Sequence, residues 1–121
     1  SFEELCFLIK KFPKSIKLFN TYFNNKLVGG AVVFITSENT ALLFYNVVLN
    51  SFRSKQLSTF QIYSCIDWCI KNKIFILDLG VSHLPNNKNP LAPKISLIKF
   101  KEQFGAVGVI RKVYKKEYCD I

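Results

Sequence analysis

The chain has 121 residues, which is enough for one domain with a single hydrophobic core and too few for two. Half of the residues are apolar and 12 are Phe, which excludes an intrinsically disordered chain, because such chains lack the apolar area to offset chain entropy. No apolar run is long enough to span a bilayer, and the start has no basic signal-peptide region, so we expect a soluble cytoplasmic domain.

The formal charge of +9 comes mainly from Lys, since Arg53 and Arg111 are the only arginines. A basic surface attracts anionic partners such as phosphorylated cofactors, nucleic acids or acidic glycans. Lys, Asn, Ile and Phe are enriched together along the chain, which is typical of an AT-rich genome, and clustered Arg with exposed aromatic residues is not apparent. We therefore prefer compositional bias over a dedicated nucleic-acid surface.

The cysteines favour core packing over metal binding. Cys65 and Cys69 are four residues apart in a helical pattern, so they share a helix face. A zinc site needs further ligands, and His83, the only histidine, is distant in the sequence. We predict no metal site, and we expect the thiols, with those of Cys6 and Cys119, to pack as small apolar groups in a reducing cytoplasm.

The first half of the chain predicts a helix followed by a three-stranded antiparallel meander. Residues 3–11 are acidic at the start and basic at the end, which suits a helix, and Pro13 stops it. Polar turns at residues 24–26 and 37–39 separate strands that are apolar on both sides, which predicts a sheet covered on both faces. The predicted strands are Ile16–Phe23, Leu27–Thr36 and Ala41–Leu49.

A crossover unit follows the meander. Residues 56–72 carry apolar side chains at the spacing of one helix face. Residues 74–77 form a short, wholly apolar run that is typical of a buried parallel strand. The order strand, helix, strand predicts a right-handed crossover.

The last third predicts a loop, a helix and a strand. Residues 80–94 are rich in Pro and Asn and predict a long surface loop, and such loops in compact domains are often functional. Residues 95–104 have an apolar side typical of a second helix, which Gly105 caps. Residues 107–114 predict a final strand.

This order of elements resembles the C-terminal two-thirds of the CoA-dependent N-acetyltransferase (GNAT) fold. Lys26-Leu27-Val28-Gly29-Gly30 is similar to the turn and glycine pair that open the second meander strand of that superfamily. Leu77-Asp78-Leu79-Gly80-Val81-Ser82 resembles the Asp-Phe-Gly-x-Ser strand ending of its peptidoglycan-bridge (Fem-type) branch. Phe100-Lys101-Glu102-Gln103-Phe104-Gly105-Ala106 resembles the signature with which that branch ends the next helix.

The resemblance implies one α/β (α+β) domain over residues 1–121. Its sheet would be mixed, with an antiparallel meander, a β-α-β crossover and helices on both faces. A full domain of this kind has an additional strand and helix before residue 1, so the resemblance implies a partial or shortened domain. A homodimer would then cover the sheet edge left exposed.

The resemblance also implies a donor site for acetyl-CoA or another acyl-CoA. In this superfamily the thioester lies between the third meander strand and the next strand, and the pyrophosphate lies at the N-terminus of the helix that connects them, where free N–H groups attract anions. Arg53 and Lys55 would pair with phosphate, or else form only a solvated helix start. Gln56 and Ser58 replace the usual glycines, and their side chains would impede close approach of phosphate. The implied donor-binding residues are Tyr45, Asn46, Val47, Val48, Leu49, Arg53, Ser54, Lys55 and Gln56.

Acyl transfer to an amine needs a base, and a donor group for the oxyanion or leaving thiolate. His83 is one candidate because imidazole exchanges protons near neutrality, although a lone loop histidine is often only exposed. Asp78 ends an apolar strand and needs partners, so it alternatively orients the turn that follows. Glu102 belongs to the helix signature and alternatively lies on the solvent face. Tyr114 and Tyr118 are further candidates for the acid, and nothing selects between them.

The expected function is a bacterial acyltransferase of polysaccharide biosynthesis. It would transfer an acyl group from acyl-CoA to an amino or hydroxyl group of a sugar or cell-envelope precursor. One alternative is a catalytically silent binding or assembly module with the same fold. Others are a Fem-type transferase that uses aminoacyl-tRNA and a nucleic-acid-binding module driven by the +9 charge.

Overall fold

A computed structural model describes residues 1–84, 86, 88–89, 91–110, 112 and 114–117 of the chain. These form two compact units, Ser1–Val81 and Ser82–Ile121. The first unit contains two helices and a four-stranded sheet in the order β1-β2-β3-β4, and the second contains one helix. The elements are α1 (Phe2–Lys11), β1 (Ile16–Phe23), β2 (Lys26–Ser37), β3 (Thr40–Val48), a 3₁₀ turn (Asn50–Lys55), α2 (Leu57–Lys71), β4 (Ile76–Asp78) and α3 (Ile95–Glu102).

Helix α1 begins with a capping box. The Ser1 hydroxyl accepts a hydrogen bond from the Glu4 backbone N–H, and the Glu4 side chain accepts one from the Ser1 amino group. Lys10 and Lys11 occupy the last turn, where positive charge complements the helix dipole. The helix predicted over residues 3–11 is therefore confirmed.

Strands β1, β2 and β3 form the predicted antiparallel meander. Asn24 and Asn25 connect β1 to β2 with φ values of 49° and 62°, which asparagine tolerates and which a two-residue hairpin turn requires. Helix α2 packs on one face of the sheet, where Trp68 contacts the ring of Phe19 edge-on at 5.9 Å between centroids. The buried core between them includes Val28, Ala31, Val33, Ile62, Cys65 and Cys69.

The opposite face of the sheet is only partly covered. Helix α1 and the strand residues Phe34, Phe44 and Tyr45 line a common cavity of about 420 Å³ there. Leu18 and Tyr22 remain exposed on that face, so the prediction of a sheet covered on both sides holds only near α1. Apolar residues on both sides of a strand do not distinguish these cases, because soluble proteins expose much apolar surface.

Strand β4 is shorter and more exposed than expected. It runs parallel to β3, as predicted, but pairs only through Thr40 with Ile76, Ala41 with Leu77 and Leu42 with Asp78. Ile74 is buried, whereas Phe75 is 79% exposed and Ile76 is 58% exposed, so the prediction of a fully buried strand is wrong. The reason is that β4 is an edge strand of this sheet, with a neighbouring strand on one side only among the described residues.

In the second unit the predicted loop has a closed base. Leu84 N donates to Ala92 O at 2.8 Å, Lys94 N donates to Ser82 O at 3.0 Å, and His83 forms a β-bridge with Pro93. Helix α3 follows directly and ends near Gly105, which has the expected positive φ of 76°.

The predicted final strand is not found in its described first part. Residues 107–110 form no strand, and Val107, Val109 and Ile110 are all strongly exposed. Alternating apolar residues make a strand only where a neighbouring strand accepts their backbone hydrogen bonds. Arg111, Val113 and Tyr118 lie outside the described residues. None of the helices in the described part of the chain is long and apolar enough to cross a membrane.

Candidate functional site

The second half of β3 lies at an open edge of the sheet. Strand β2 pairs with β3 as far as Val48, but β4 pairs with it only up to Leu42. The register of β2 against β3 also shifts between Val32 and Val33, which adds one residue to β3 and bends it at that point. In the part of the chain that the structure describes, no strand continues alongside residues 43–48 on the β4 side.

Two residues of β3, Asn46 and Val48, direct their backbone N–H and C=O groups towards this edge. Leu49 N donates to Val28 O at 2.8 Å, and Gly29 is the partner of Val48. Because pairs that exchange hydrogen bonds alternate with pairs that do not, the backbone groups of Asn46 and Val48 are directed away from β2. The open edge thus presents peptide donors and acceptors.

Four of the five predicted strand residues of the donor site lie in this half of β3, and Leu49 follows directly after it. Tyr45, Val47 and Leu49 are exposed, whereas Asn46 and Val48 are half-buried towards α2. An apolar cavity of about 290 Å³ lies at the end of the β2–β3 ladder. Its lining residues are Leu27, Val28, Gly29, Val47, Val48 and Leu49.

The start of α2 lies beside the same half of β3. The side-chain amide of Asn46 donates from Nδ2 to the Ser58 carbonyl oxygen at 3.3 Å, which links the strand to the first helical turn. No side-chain hydrogen bond caps α2. Gln56 N donates to Arg53 O and Thr59 N donates to Gln56 O, at 3.3 and 3.1 Å. Among the described residues, the N–H groups of Leu57 and Ser58 are therefore the donors that this uncapped start offers to an anion.

The connection from β3 to α2 contains the remaining predicted donor residues, and all of them are exposed. The 3₁₀ turn contains Arg53, Ser54 and Lys55. The Lys55 Nζ atom lies 5.7 Å from the ring centroid of Phe23. Gln56 follows with φ 52° and ψ 30°, the left-handed conformation that glycine adopts most readily. The backbone therefore has a glycine-type geometry at Gln56, one of the two positions where the resemblance implies a glycine.

A buried amide next to this edge was not identified from the sequence. Gln61 of α2 is 2% exposed and donates from Nε2 to Thr21 Oγ1 at 2.8 Å and to the Val47 carbonyl oxygen at 3.2 Å. The available signal was its spacing, because residues 61, 65 and 69 lie on one line of the helix. A polar side chain on the line of two buried cysteines indicates a buried polar contact.

The three predicted catalytic residues do not lie in one unit. Asp78 ends β4 in the first unit, and its Oδ1 accepts a hydrogen bond from the Gly80 N–H at 2.7 Å, at a residue with φ 73°. This contact agrees with the alternative that Asp78 orients the turn after β4. His83 and Glu102 lie in the second unit and are exposed. Catalytic roles for all three stay predictions.

The cysteines of α2 are buried in the core, as predicted. Burial raises the pKa of the Cys65 thiol to about 12, with a smaller contribution from the neighbouring Cys69, and burial also raises the pKa of Cys69. Thiols of this kind are poor nucleophiles. Among the described residues, no three side chains of the ligating types come together as a metal site. Cys119 lies outside those residues.

Comparison with known proteins adds the identity of the fold. No protein-family model and no curated protein matches the sequence. A ribosomal-protein-alanine N-acetyltransferase from Brucella melitensis biovar Abortus 2308 is similar in structure, with a TM-score of 0.65, 15% identity, and coverage of 93% of this chain and 74% of that chain.

Two aminoglycoside acetyltransferases are similar as well. AAC(6')-Iy in complex with a CoA bisubstrate analogue has a TM-score of 0.70, 18% identity, and coverage of 98% of this chain and 81% of that chain. Meta-AAC0020 from an uncultured soil metagenomic sample, in complex with trehalose, has a TM-score of 0.64, 14% identity, and coverage of 99% and 75%. The chain therefore has the fold of the GNAT N-acetyltransferases.

Proposed function

We propose that this chain transfers an acetyl group, or another acyl group, from acyl-CoA to an amine. The observation that carries the proposal is that β4 ends at Asp78, opposite Leu42, and leaves the second half of β3 unpaired on that side among the described residues. The uncapped start of α2 is linked to this half through Asn46 and Ser58. A thioester with a long amide-containing arm and a pyrophosphate needs peptide groups along an edge and an anion site at its end. The fold shared with CoA-bound acetyltransferases supports the same proposal.

In the proposed reaction the amine nitrogen attacks the thioester carbon, and the carbonyl oxygen becomes an oxyanion. The amine then loses a proton, the carbon–sulfur bond breaks, and the CoA thiolate takes up a proton. Peptide N–H groups at the open edge of β3, at Asn46 and Val48, are suited to stabilise the oxyanion, because fixed donors stabilise charge as it develops. His83 and Glu102 remain the sequence-based candidates for the base, and Asp78 is proposed to orient the turn after β4.

The acceptor that we propose is a sugar amine or a cell-envelope precursor. The Fem-type motifs at residues 77–82 and 100–106 suggest an envelope substrate. The aminoglycoside acetyltransferases of similar structure support a screen that begins with amino sugars. Hydroxyl acceptors belong in the same screen, since acyl transfer to oxygen uses the same donor.

The test is calorimetric titration of acetyl-CoA into three proteins. These are the wild type, an Arg53→Ala, Lys55→Ala double variant, and a Lys10→Ala, Lys14→Ala control that removes the same charge from exposed positions. We expect saturable binding by the wild type and the control, and binding about tenfold weaker by the first variant. An equal loss of affinity in both variants would show that only the net charge matters. No binding by the wild type would refute the proposal.

Gln56 favours a second candidate, a catalytically silent module with the same fold. Gln56 and Ser58 place side chains at the start of α2 where the family has glycines, and such side chains keep a phosphate away from the backbone. A silent module would bind no acyl-CoA at concentrations where the acetyltransferase would be saturated. The titration above therefore separates the two candidates.

A further inference from the structure

The open half of β3 needs support that β4 does not provide. Strand β2 pairs with it on one side, and β4 ends opposite Leu42 on the other. Two side-chain hydrogen bonds link this half to α2. The Asn46 side chain donates to the Ser58 carbonyl oxygen, and the Gln61 side chain donates to the Val47 carbonyl oxygen, at 3.3 and 3.2 Å. The links thus run in both directions, from strand to helix and from helix to strand.

Residues of three strands lie around the amide group of Gln61. Nε2 also donates to Thr21 Oγ1 of β1 at 2.8 Å, and Thr21 is itself buried. Gly29 of β2 leaves the necessary room, because a Cβ atom there would come 2.9 Å from Nε2. Residues of three strands therefore meet one helix side chain. The Gln61 Oε1 atom is buried without a partner among the described residues, so the amide is held through its donors alone.

The amide is costly to bury, and an apolar side chain of similar size would avoid that cost. Buried polar groups of this kind contribute a defined geometry more than they contribute stability. Here the geometry that they define is the separation between the open edge of β3 and the first turns of α2. In the proposed function, the open edge of β3 binds the pantetheine arm of acyl-CoA, and the start of α2 binds the pyrophosphate of the same molecule.

We infer that Gln61, together with Asn46, is a positioning residue that sets the spacing between the open half of β3 and the start of α2. The inference rests on the proposed function for its consequence in acyl-CoA binding. A ligand that reaches both parts gains affinity only if they are held at the right separation, because the second contact is then made at a high effective concentration. A ligand that reaches only the strand does not need the spacing.

The variants are Gln61→Met and Gln61→Leu, which both replace the amide with an apolar side chain and so remove its donors. Gln61→Met also keeps the side-chain volume. Gln103→Met is the matched control, because it removes an amide from an exposed position. Asn46→Ala tests the second link, and it provides the same comparison if the Gln61 variants fold poorly.

The first measurement needs no ligand. Hydrogen exchange should become about tenfold faster in both Gln61 variants at residues 45, 47 and 49, whose N–H groups face β2, and at residues 59–60, whose N–H groups donate to Gln56 O. Residues 16–20 of β1 should change little. The control should match the wild type. Uniform acceleration throughout the sheet, or no acceleration at all, would refute the positioning role.

The second measurement compares two donors, acetyl-CoA and acetyl-pantetheine, which lacks the nucleotide and pyrophosphate. In the Gln61 variants the preference for acetyl-CoA should fall about tenfold, while acetyl-pantetheine binds within about twofold of the wild type. An unchanged preference would overturn the inference even if acetyl-CoA still bound. If the wild type binds neither donor, the proposed function fails, and the exchange experiment alone then decides whether Gln61 links the strand to the helix.

Discussion

Lys101 donates a hydrogen bond from its Nζ to the Ser82 Oγ at 2.8 Å. Each residue belongs to one of the two motifs that resemble the Fem-type branch, and the two are 19 positions apart in the chain. The bond fastens helix α3 to the base of the loop, where the Ser82 carbonyl oxygen also accepts from Lys94 N. Within the second unit, this contact joins the two segments in which the sequence analysis found these motifs.

Lys101→Met should loosen the base of the loop. A hydrogen bond with a charged donor at a partly buried position contributes about 1 kcal/mol. We expect roughly fivefold faster cleavage between residues 84 and 92 under limited proteolysis. Lys99→Met is the control, since Lys99 lies on the same helix and is exposed. Equal cleavage of the two variants would contradict a role for the bond.

Gly29→Ala and Gly30→Ala should both lower the free energy of unfolding by about 2–4 kcal/mol. A Cβ at Gly30 would lie 2.5 Å from the Phe19 carbonyl oxygen, and one at Gly29 would press against the Val47 carbonyl oxygen, so the strands would have to move apart. Urea denaturation measures the change. Gly108→Ala should alter the value by less than about 0.5 kcal/mol, because nothing lies within 4 Å of its Cβ position.

Gln56→Gly should raise the free energy of unfolding by about 0.5–1 kcal/mol, since it relieves a left-handed conformation that a side chain disfavours. Gln56→Ala keeps the unfavourable φ and should give no gain, which separates backbone relief from loss of the side chain. Thermal unfolding of both variants checks this. If the side chain also impedes phosphate, both variants should bind acetyl-CoA more tightly than the wild type.

Cys65 and Cys69 should resist alkylation at pH 8 in the native chain and react only after unfolding. Both thiols have a raised pKa because of burial, so neither supplies thiolate at that pH. Mass spectrometry after iodoacetamide treatment gives the answer. Fast modification of Cys65 in the native protein would show that α2 opens readily.

The same thiols predict a stability change at high pH. A folded pKa above the unfolded value means that the folded state keeps a proton that the unfolded state releases. The contribution of Cys65 is therefore complete below the ordinary thiol pKa of 9.0, and it declines as the pH rises towards about 12. The stability of Cys65→Ala should fall less steeply than that of the wild type between pH 9 and pH 11.

Local sequence patterns determined the order, type and approximate bounds of most elements. Periodic apolar residues and turn-forming asparagines act within a few positions of one another, so β1 was predicted at its observed bounds and α1 and α2 within one residue at each end. The glycine pair of β2 was recognised as a motif from the sequence. Its cause is the close approach of carbonyl oxygens from both neighbouring strands, which only the sheet register shows.

The tertiary structure alone decided which apolar runs are buried and which polar groups meet. The sequence predicted strands over residues 74–77 and 107–114. The first is largely an exposed edge, and residues 107–110 of the second form no strand. The reason is that burial depends on neighbours that are remote in sequence. Gln61 donates a hydrogen bond to Thr21, 40 positions away, and β4 ends opposite Leu42 of β3. Contacts at such distances follow from the packing of whole elements. The resemblance named the proposed donor residues, but the open edge of β3 and the Gln61 contacts became visible only in the fold.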